Sequence, residues 1–319
     1  MVIIGLSNIL QGQKKLFNDS VKMEVKNINP YLAIGNTIYI HKRKKPLSNI
    51  PLMSYGNMPL EGGFLRFKDN EKQTLENADS GITKYIRKVI GGEEFLKGID
   101  RYCLWIEDSE LDEALKVEEI KKRIEQVKNF RINGGEVART LAEKSHQFRY
   151  RNEPNQNQIV IPCTSSENRN YIPCAFFDKS YISLNSVQTI NDAEPWVMGM
   201  VNSHIHMVWM RTVAGRLKTD YRYSSALVYN TFPFPKISEK QKEQLDEHVF
   251  SILEEREKHS EKTLAQLYDP EKMPEGLREA HHQLDLAVEM CYRKKPFTSD
   301  EERLEYLFGL YEEMVANNV

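Results

Sequence analysis

Hydrophobic residues recur at intervals of three and four along the last third of the chain. Leu245, Val249, Ile252 and the stem of Arg256 fall on one face of a helix that Ser238 can cap. A second helix is expected from about Glu275 to Tyr292, with His281-His282 as a surface pair. A third, beginning after Ser299, carries Leu304, Leu307, Phe308, Tyr311 and Val315. Val117, Ile120, Ile124 and Val127 repeat this spacing within residues 116–131, with charges elsewhere, which predicts an amphipathic surface helix. Residues 194–217, EPWVMGMVNSHIHMVWMRTVAGRL, are apolar nearly throughout and predict one long helix with Pro195 at its start.

Elsewhere the apolar runs are short and β-prone. Residues 1–8 and Thr37–His41 read as strands, and 101–108 (RYCLWIED) as a buried one. Residues 157–190 read as three strands broken by turns, and 221–232 return to strand-like patterning. Gly56, Asn57, Pro59, Gly62 and Gly63 supply turn chemistry between short segments. The elements predict an α+β protein: a mixed α/β part with many short strands, followed by an all-α C-terminal helical segment. The two meet at Phe232-Pro233-Phe234-Pro235.

Charge adds an asymmetry. The 319 residues hold 44 Lys+Arg and 46 Asp+Glu. Residues 236–319 account for 12 and 20 of these, a net of −8, which leaves 32 and 26, a net of +6, for residues 1–235. A basic part suits a polyanionic partner. Lys42, Arg43 and Lys44, followed by Lys45 and the stop at Pro46, are candidates for phosphate contact. No apolar run reaches the roughly 18 residues that a membrane helix needs. The start lacks the features of a signal peptide, and four scattered cysteines without a CxxC fit a reducing, cytoplasmic setting.

Catalytic patterns are lacking. There is no phosphate-binding loop, no GxSxG elbow and no GxG-type cofactor loop. His204-x-His206 would place its rings on different faces of a helix, which favours core or interface roles over metal binding. Asp19, Glu24 and Lys26 have the spacing of a D…ExK nuclease triplet, a pattern that arises by chance in a chain this charged. Asn29-Pro30-Tyr31 is similar to the NPPY of adenine methyltransferases but lacks the second proline.

Sequence reading of DNA needs side chains matched to base edges and held on a rigid element. The segment Gly215-Arg216-Leu217-Lys218-Thr219-Asp220-Tyr221-Arg222-Tyr223-Ser224 carries such residues. In an extended stretch Lys218, Asp220 and Arg222 share one face. Lys donates to guanine O6 and N7, and Asp accepts from cytosine N4, so the pair can read both halves of a G·C pair. An exposed charged turn is the plainer reading of the same residues.

The stretch HMVWMRTVAGRLKTDYRYSSALVYNTFPFP (206–235) strongly resembles the target-recognition region of MmeI-like restriction-modification enzymes. So, in order, do KNINPYL (26–32), PLMSYGNMPLEGGFL (51–65), RYCLWI (101–106), SSENRNYIP (165–173), TLAQLYDPEKMPEGLREAHHQLDLAVEMCY (263–292) and ERLEYLFGLYEEM (302–314). The resemblance implies a piece of a longer protein. Residues 1–25 would close an adenine-N6 methyltransferase domain, 26–235 would be the DNA target-recognition domain, and 236–319 a helical segment similar to the spacers of type I specificity subunits. It implies double-stranded DNA as partner, together with methyltransferase and nuclease domains upstream in the parent. S-adenosylmethionine and Mg2+ are expected for that parent, and neither a cofactor nor a catalytic residue for this chain. Carried over position by position, Lys218 and Asp220 flank the middle of GRL-x-x-x-YRYS and would set the last recognised base. Arg222 with Ser186 would read another. Asn185 would read a third, with a partner near Glu167 or Arg169. The alternatives are a protein-interaction subunit and a complete nuclease built on Asp19, Glu24 and Lys26.

Overall fold

The computed structural model describes Gly5, residues 13–18 and residues 21–317. Apart from Gly5, the strand expected at residues 1–8 lies outside the described residues, as does Asp19. The expected α+β organisation is present: small sheets and helices through residue 232, then helices.

One four-stranded sheet is centred on Ile86–Ile90 and Arg101–Leu104, which run antiparallel to each other. Arg66–Lys68 joins the second antiparallel, and Tyr181–Ser183 joins the first in parallel. The strand expected at 101–108 is formed in its first four residues, and Cys103, Leu104 and Ile106 are all buried. The predicted amphipathic helix is Glu118–Ile132. Its Ile120 and Val127 pack with Leu65, Phe67, Tyr85 and Leu104 in one core. Arg131, also buried, fixes the helix end by donating to the carbonyls of Leu60, Leu141, Lys144 and Gln147. A charge buried this deeply is tolerated because backbone oxygens surround it.

A second, antiparallel sheet has the order Met53–Tyr55, Val187–Asn191, Asn157–Pro162, Ala175–Asp178. A third, described under the site, contains Thr164–Ser165. Residues 157–191 thus supply five strands to three sheets, where three strands were expected. Pro162 alone marks where the chain leaves one sheet for another at Cys163, and pairing resumes at once with Thr164–Ser165. Thr37–His41 is not a strand. Ile38 and Ile40 are buried, but the Ile40 amide donates to the Tyr31 hydroxyl at 2.8 Å instead of to a neighbouring strand.

The long apolar helix is two helices, Pro195–Val201 and His204–Val213. At the break, Ser203 caps the second by accepting from the His206 amide, and the Asn202 side chain donates to the Ile172 carbonyl. Hydrophobicity ran through the break because both helices are buried. Residues 215–217 belong to a strand, not to this helix. The strand-like segment 221–232 is a strand only to Arg222. A single π-type turn, Ser225–Tyr229, then buries Val228 and Tyr229. Its aromatic and aliphatic residues satisfy either period, so pattern alone did not separate them.

The three C-terminal helices form where expected: Glu239–Glu257, Glu275–Tyr292 and Asp300–Ala316, each opening near a predicted start. Their apolar faces enter the same core as the helices at 195–213. Trp209 lies 5.7 Å from the Phe308 ring and 5.9 Å from that of Tyr311. A Cβ on Gly199 would meet Val249 at 3.0 Å and Leu284 at 3.2 Å, so these helices approach at a glycine. Buried polar bonds cross the same junction. Arg256 donates to the Cys174 carbonyl at 2.6 Å, Tyr171 donates to Asp285 at 2.7 Å, and the His204 amide donates to Asp285 at 2.6 Å. His281 is not on the surface. It is fully buried, stacked 4.1 Å from Tyr171 and bonded to the Tyr268 hydroxyl at 2.9 Å, while His282 is exposed. His204 and His206 diverge as expected: His204 meets Asp300 at 2.7 Å, and His206 meets the buried Tyr223 hydroxyl at 2.9 Å.

Candidate nucleic-acid interface

Gly215–Leu217 and Asp220–Arg222 form an antiparallel hairpin, with Leu217 opposite Asp220. That register leaves only Lys218 and Thr219 in the turn. Lys218 has φ of 57°, the left-handed conformation that two-residue hairpin turns require. Lys218 therefore stands at an exposed tip, not in line with Asp220 and Arg222 on an extended face. Asp220 and Arg222 do share a face. Tyr221 between them points the other way and is buried.

The hairpin hangs from a short neighbouring segment. Tyr221 pairs with Ser165 and Arg222 with Thr164. One residue further, the Tyr223 amide donates to the Cys163 carbonyl at 2.9 Å. The Cys163 amide in turn donates to the Ser186 carbonyl at 3.1 Å. Residues 163–165 thus tie the hairpin to the turn at 184–187, where the Val187 amide donates to the Leu184 carbonyl at 3.0 Å. Asn185 and Ser186 are exposed at this turn, and Leu184 is buried beneath it. The Ser186 hydroxyl accepts from the Gly92 amide at 2.9 Å, and the Asn185 amide donates to the Asn57 carbonyl at 2.9 Å. A Cβ on Gly56 would run into the Leu184 carbonyl, so only glycine lets these two backbones lie together.

Glu167 and Arg169 leave the same short strand. Glu167 pairs with Arg216 of the hairpin at 3.1 Å. Arg169 is half-buried and donates to the Ser165 hydroxyl at 3.3 Å. Burial pulls its pKa down, and the carboxylates of Asp220 and Asp269 oppose this. The structure therefore brings Lys218, Asp220, Arg222, Asn185, Ser186, Glu167 and Arg169 together around residues 163–165. The basic cluster is held elsewhere: the Arg43 amide donates to the Ala226 carbonyl and its carbonyl accepts from Asn230, both at 2.9 Å. Lys42 and Lys44 are exposed beside it. The residue that sequence reading passed over is Arg216. Its signal was its place in the GRL element, two positions before Lys218.

A sequence model described as "MmeI, target recognition domain" matches residues 34–236, and one described as "MmeI, C-terminal domain" matches residues 237–319. This chain belongs to the MmeI family. It is 42% identical to a protein named DNA methyltransferase A from Bacillus subtilis (strain 168), over 98% of this chain and 36% of that protein. It is also similar to the type IIL restriction-modification enzyme MmeI, solved in complex with DNA, with a TM-score of 0.87 and 39% identity. That match covers 93% of this chain and 40% of the other. The chain thus spans less than half the length of the relatives it matches.

These relatives raise the question of a methyl donor and a metal in this MmeI-family chain. The described residues bear on both. Among them no group of three or more His, Cys, Asp or Glu could hold a metal ion. Glu24 pairs with Lys22 at 3.1 Å. The Asn29 side chain accepts from the amides of Tyr31 and Ala33, which makes Asn29-Pro30-Tyr31 a capped turn. The Gly92 amide is already occupied by Ser186. No described helix is long and apolar enough to cross a membrane.

Proposed function

We propose that this chain recognises a specific double-stranded DNA sequence for a larger restriction-modification enzyme. The observation that carries this reading is the convergence of two exposed turns, 184–187 and 215–222, on one backbone segment within an MmeI-family fold. Lys218 and Asp220 would address a G·C pair. Arg222 with Ser186, and Asn185 with Glu167 or Arg169, would address others. Lys42, Arg43 and Lys44 would neutralise phosphates, which position the protein without carrying sequence information. Residues 26–235 would form the recognition domain, braced by 236–319, with 1–25 belonging to a methyltransferase domain. Methylation of adenine-N6 with S-adenosylmethionine and Mg2+-dependent cleavage are assigned to the portions of such enzymes that this chain does not span. The setting would be the cytoplasm.

Selection of bound duplexes from a random pool at low salt tests the reading. The wild-type chain is expected to enrich a motif containing a guanine. In Lys218→Ala the preference at that one position should relax, by about 1–3 kcal/mol. Binding without any enriched motif would remove the claim of sequence reading.

A further inference from the structure

The hairpin that carries Lys218 is poorly equipped to hold its own shape. Each strand has three residues, the tip is exposed, and Lys218 occupies a conformation that residues with a Cβ avoid. Arg216 compensates from behind. It lies directly opposite Tyr221, so both side chains stand on the face away from Asp220 and Arg222. Its guanidinium carbon sits 4.2 Å from the centre of the Tyr221 ring. One nitrogen donates to the Thr219 carbonyl at 2.7 Å and to Glu167 at 3.1 Å, and the other donates to the Tyr221 hydroxyl at 3.1 Å. The Thr219 bond closes the turn itself. A lysine in this place could not make these bonds together, because they use the planar fork.

We infer that Arg216, aimed by Glu167, is a positioning residue that fixes the Lys218-Thr219 turn and thereby sets the base preference exerted by Lys218 and Asp220. The inference rests on the DNA-reading function proposed above. Glu167 then acts on DNA through Arg216, which leaves Arg169 as the partner of Asn185. An exposed ion pair adds little stability of its own. What it supplies is direction: it keeps an arginine two residues from Lys218 turned back onto the hairpin, where a free guanidinium would seek phosphate or guanine.

The full chain and its variants Arg216→Gln, Arg216→Lys, Glu167→Gln and Lys218→Ala are compared by duplex selection, by affinity for the selected duplex as a function of salt, and by thermal unfolding. Arg216→Gln and Arg216→Lys are expected to relax preference by roughly tenfold at the position that Lys218→Ala relaxes, and at no other. The salt slope and melting midpoint should stay as in the wild type. Glu167→Gln should give a smaller loss at that same position. Four results would overturn the inference. The first is undiminished preference in both Arg216 variants. The second is an equal weakening of all sequences with the salt slope reduced by about one, which is the mark of a phosphate contact. The third is loss of preference at every position together with a lowered midpoint, which is the mark of a fold defect. A wild-type chain that enriches no motif would overturn the DNA-reading proposal and this inference with it, whereas the first three leave that proposal standing.

Discussion

Replacing Trp209 by Ala is expected to cost about 3–5 kcal/mol, a large part of the stability of an ordinary domain. The indole is wholly buried and its nitrogen donates to Thr231 at 3.2 Å. It touches Phe232 on one side and Phe308 and Tyr311 on the other. Removing it opens a cavity where the helices of residues 195–213 meet the last C-terminal helix. Because that cavity lies in a shared core, the damage should not stay local. Denaturant unfolding followed by circular dichroism, with hydrogen exchange read separately in residues 34–236 and 237–317, should show both parts losing protection together. A variant whose C-terminal helices melt alone, leaving the rest at wild-type stability, would refute the shared core.

Acidification from pH 7 to pH 5 is expected to destabilise the chain. Burial pushes the His206 pKa down from 6.5 to about 3 and that of His281 well below 6.5. For each, the unfolded chain gains a proton below about pH 6.5 that the folded chain refuses. The associated stability is complete above that pH and falls as pH drops. At pH 5 the loss is about 2 kcal/mol for His206, at about 1.4 kcal/mol per pH unit. Asp285 works in the opposite sense. Burial raises its pKa to about 6, partly offset by hydrogen bonds from the His204 amide and Tyr171. The folded chain therefore takes up that proton first, and regains about 1.4 kcal/mol by pH 5. With two histidines against one carboxylate the balance is negative. Urea midpoints at pH 7 and pH 5 measure it, and His206→Gln should reduce the difference. Equal midpoints in the wild type would refute the balance. His206 bonds Tyr223, the residue after Arg222, so acid should also loosen the base of the hairpin.

The helical parts of this fold were legible because capping and periodicity agreed. Ser238 and Ser299 both cap, and the apolar positions that follow them are the buried ones. Errors cluster where burial is complete. In residues 194–213 nearly every side chain is inside, so the apolar run on both sides masked the one local sign of the break, the polar pair Asn202-Ser203 with its N-cap serine. His281 failed for a related reason: its partner Tyr268 lies on a different element, and no local pattern announces such a bond. At the candidate interface the sequence supplied the residue types and the family resemblance supplied their positions. Neither disclosed that Lys218 turns a corner, since a Lys-Thr turn lacks the Asn-Gly or Asp-Gly signal. The tie between residues 186 and 223 runs through the main chain of Cys163, which side-chain chemistry does not reveal.

The hairpin at 215–222 is secured by its ladder to Thr164–Ser165 and by the buried Tyr221, with Tyr223 just beyond it. Lys218 and Arg222, by contrast, are exposed and add nothing to the core. Exchanging either should move stability by no more than about 0.5 kcal/mol, so long as position 218, at its positive φ, receives neither a β-branched residue nor proline. Selection on folding is then blind to these two letters of the gene. Under the proposed function, a lineage could drift from one DNA target to another by single substitutions there, while every intermediate along the way still folds.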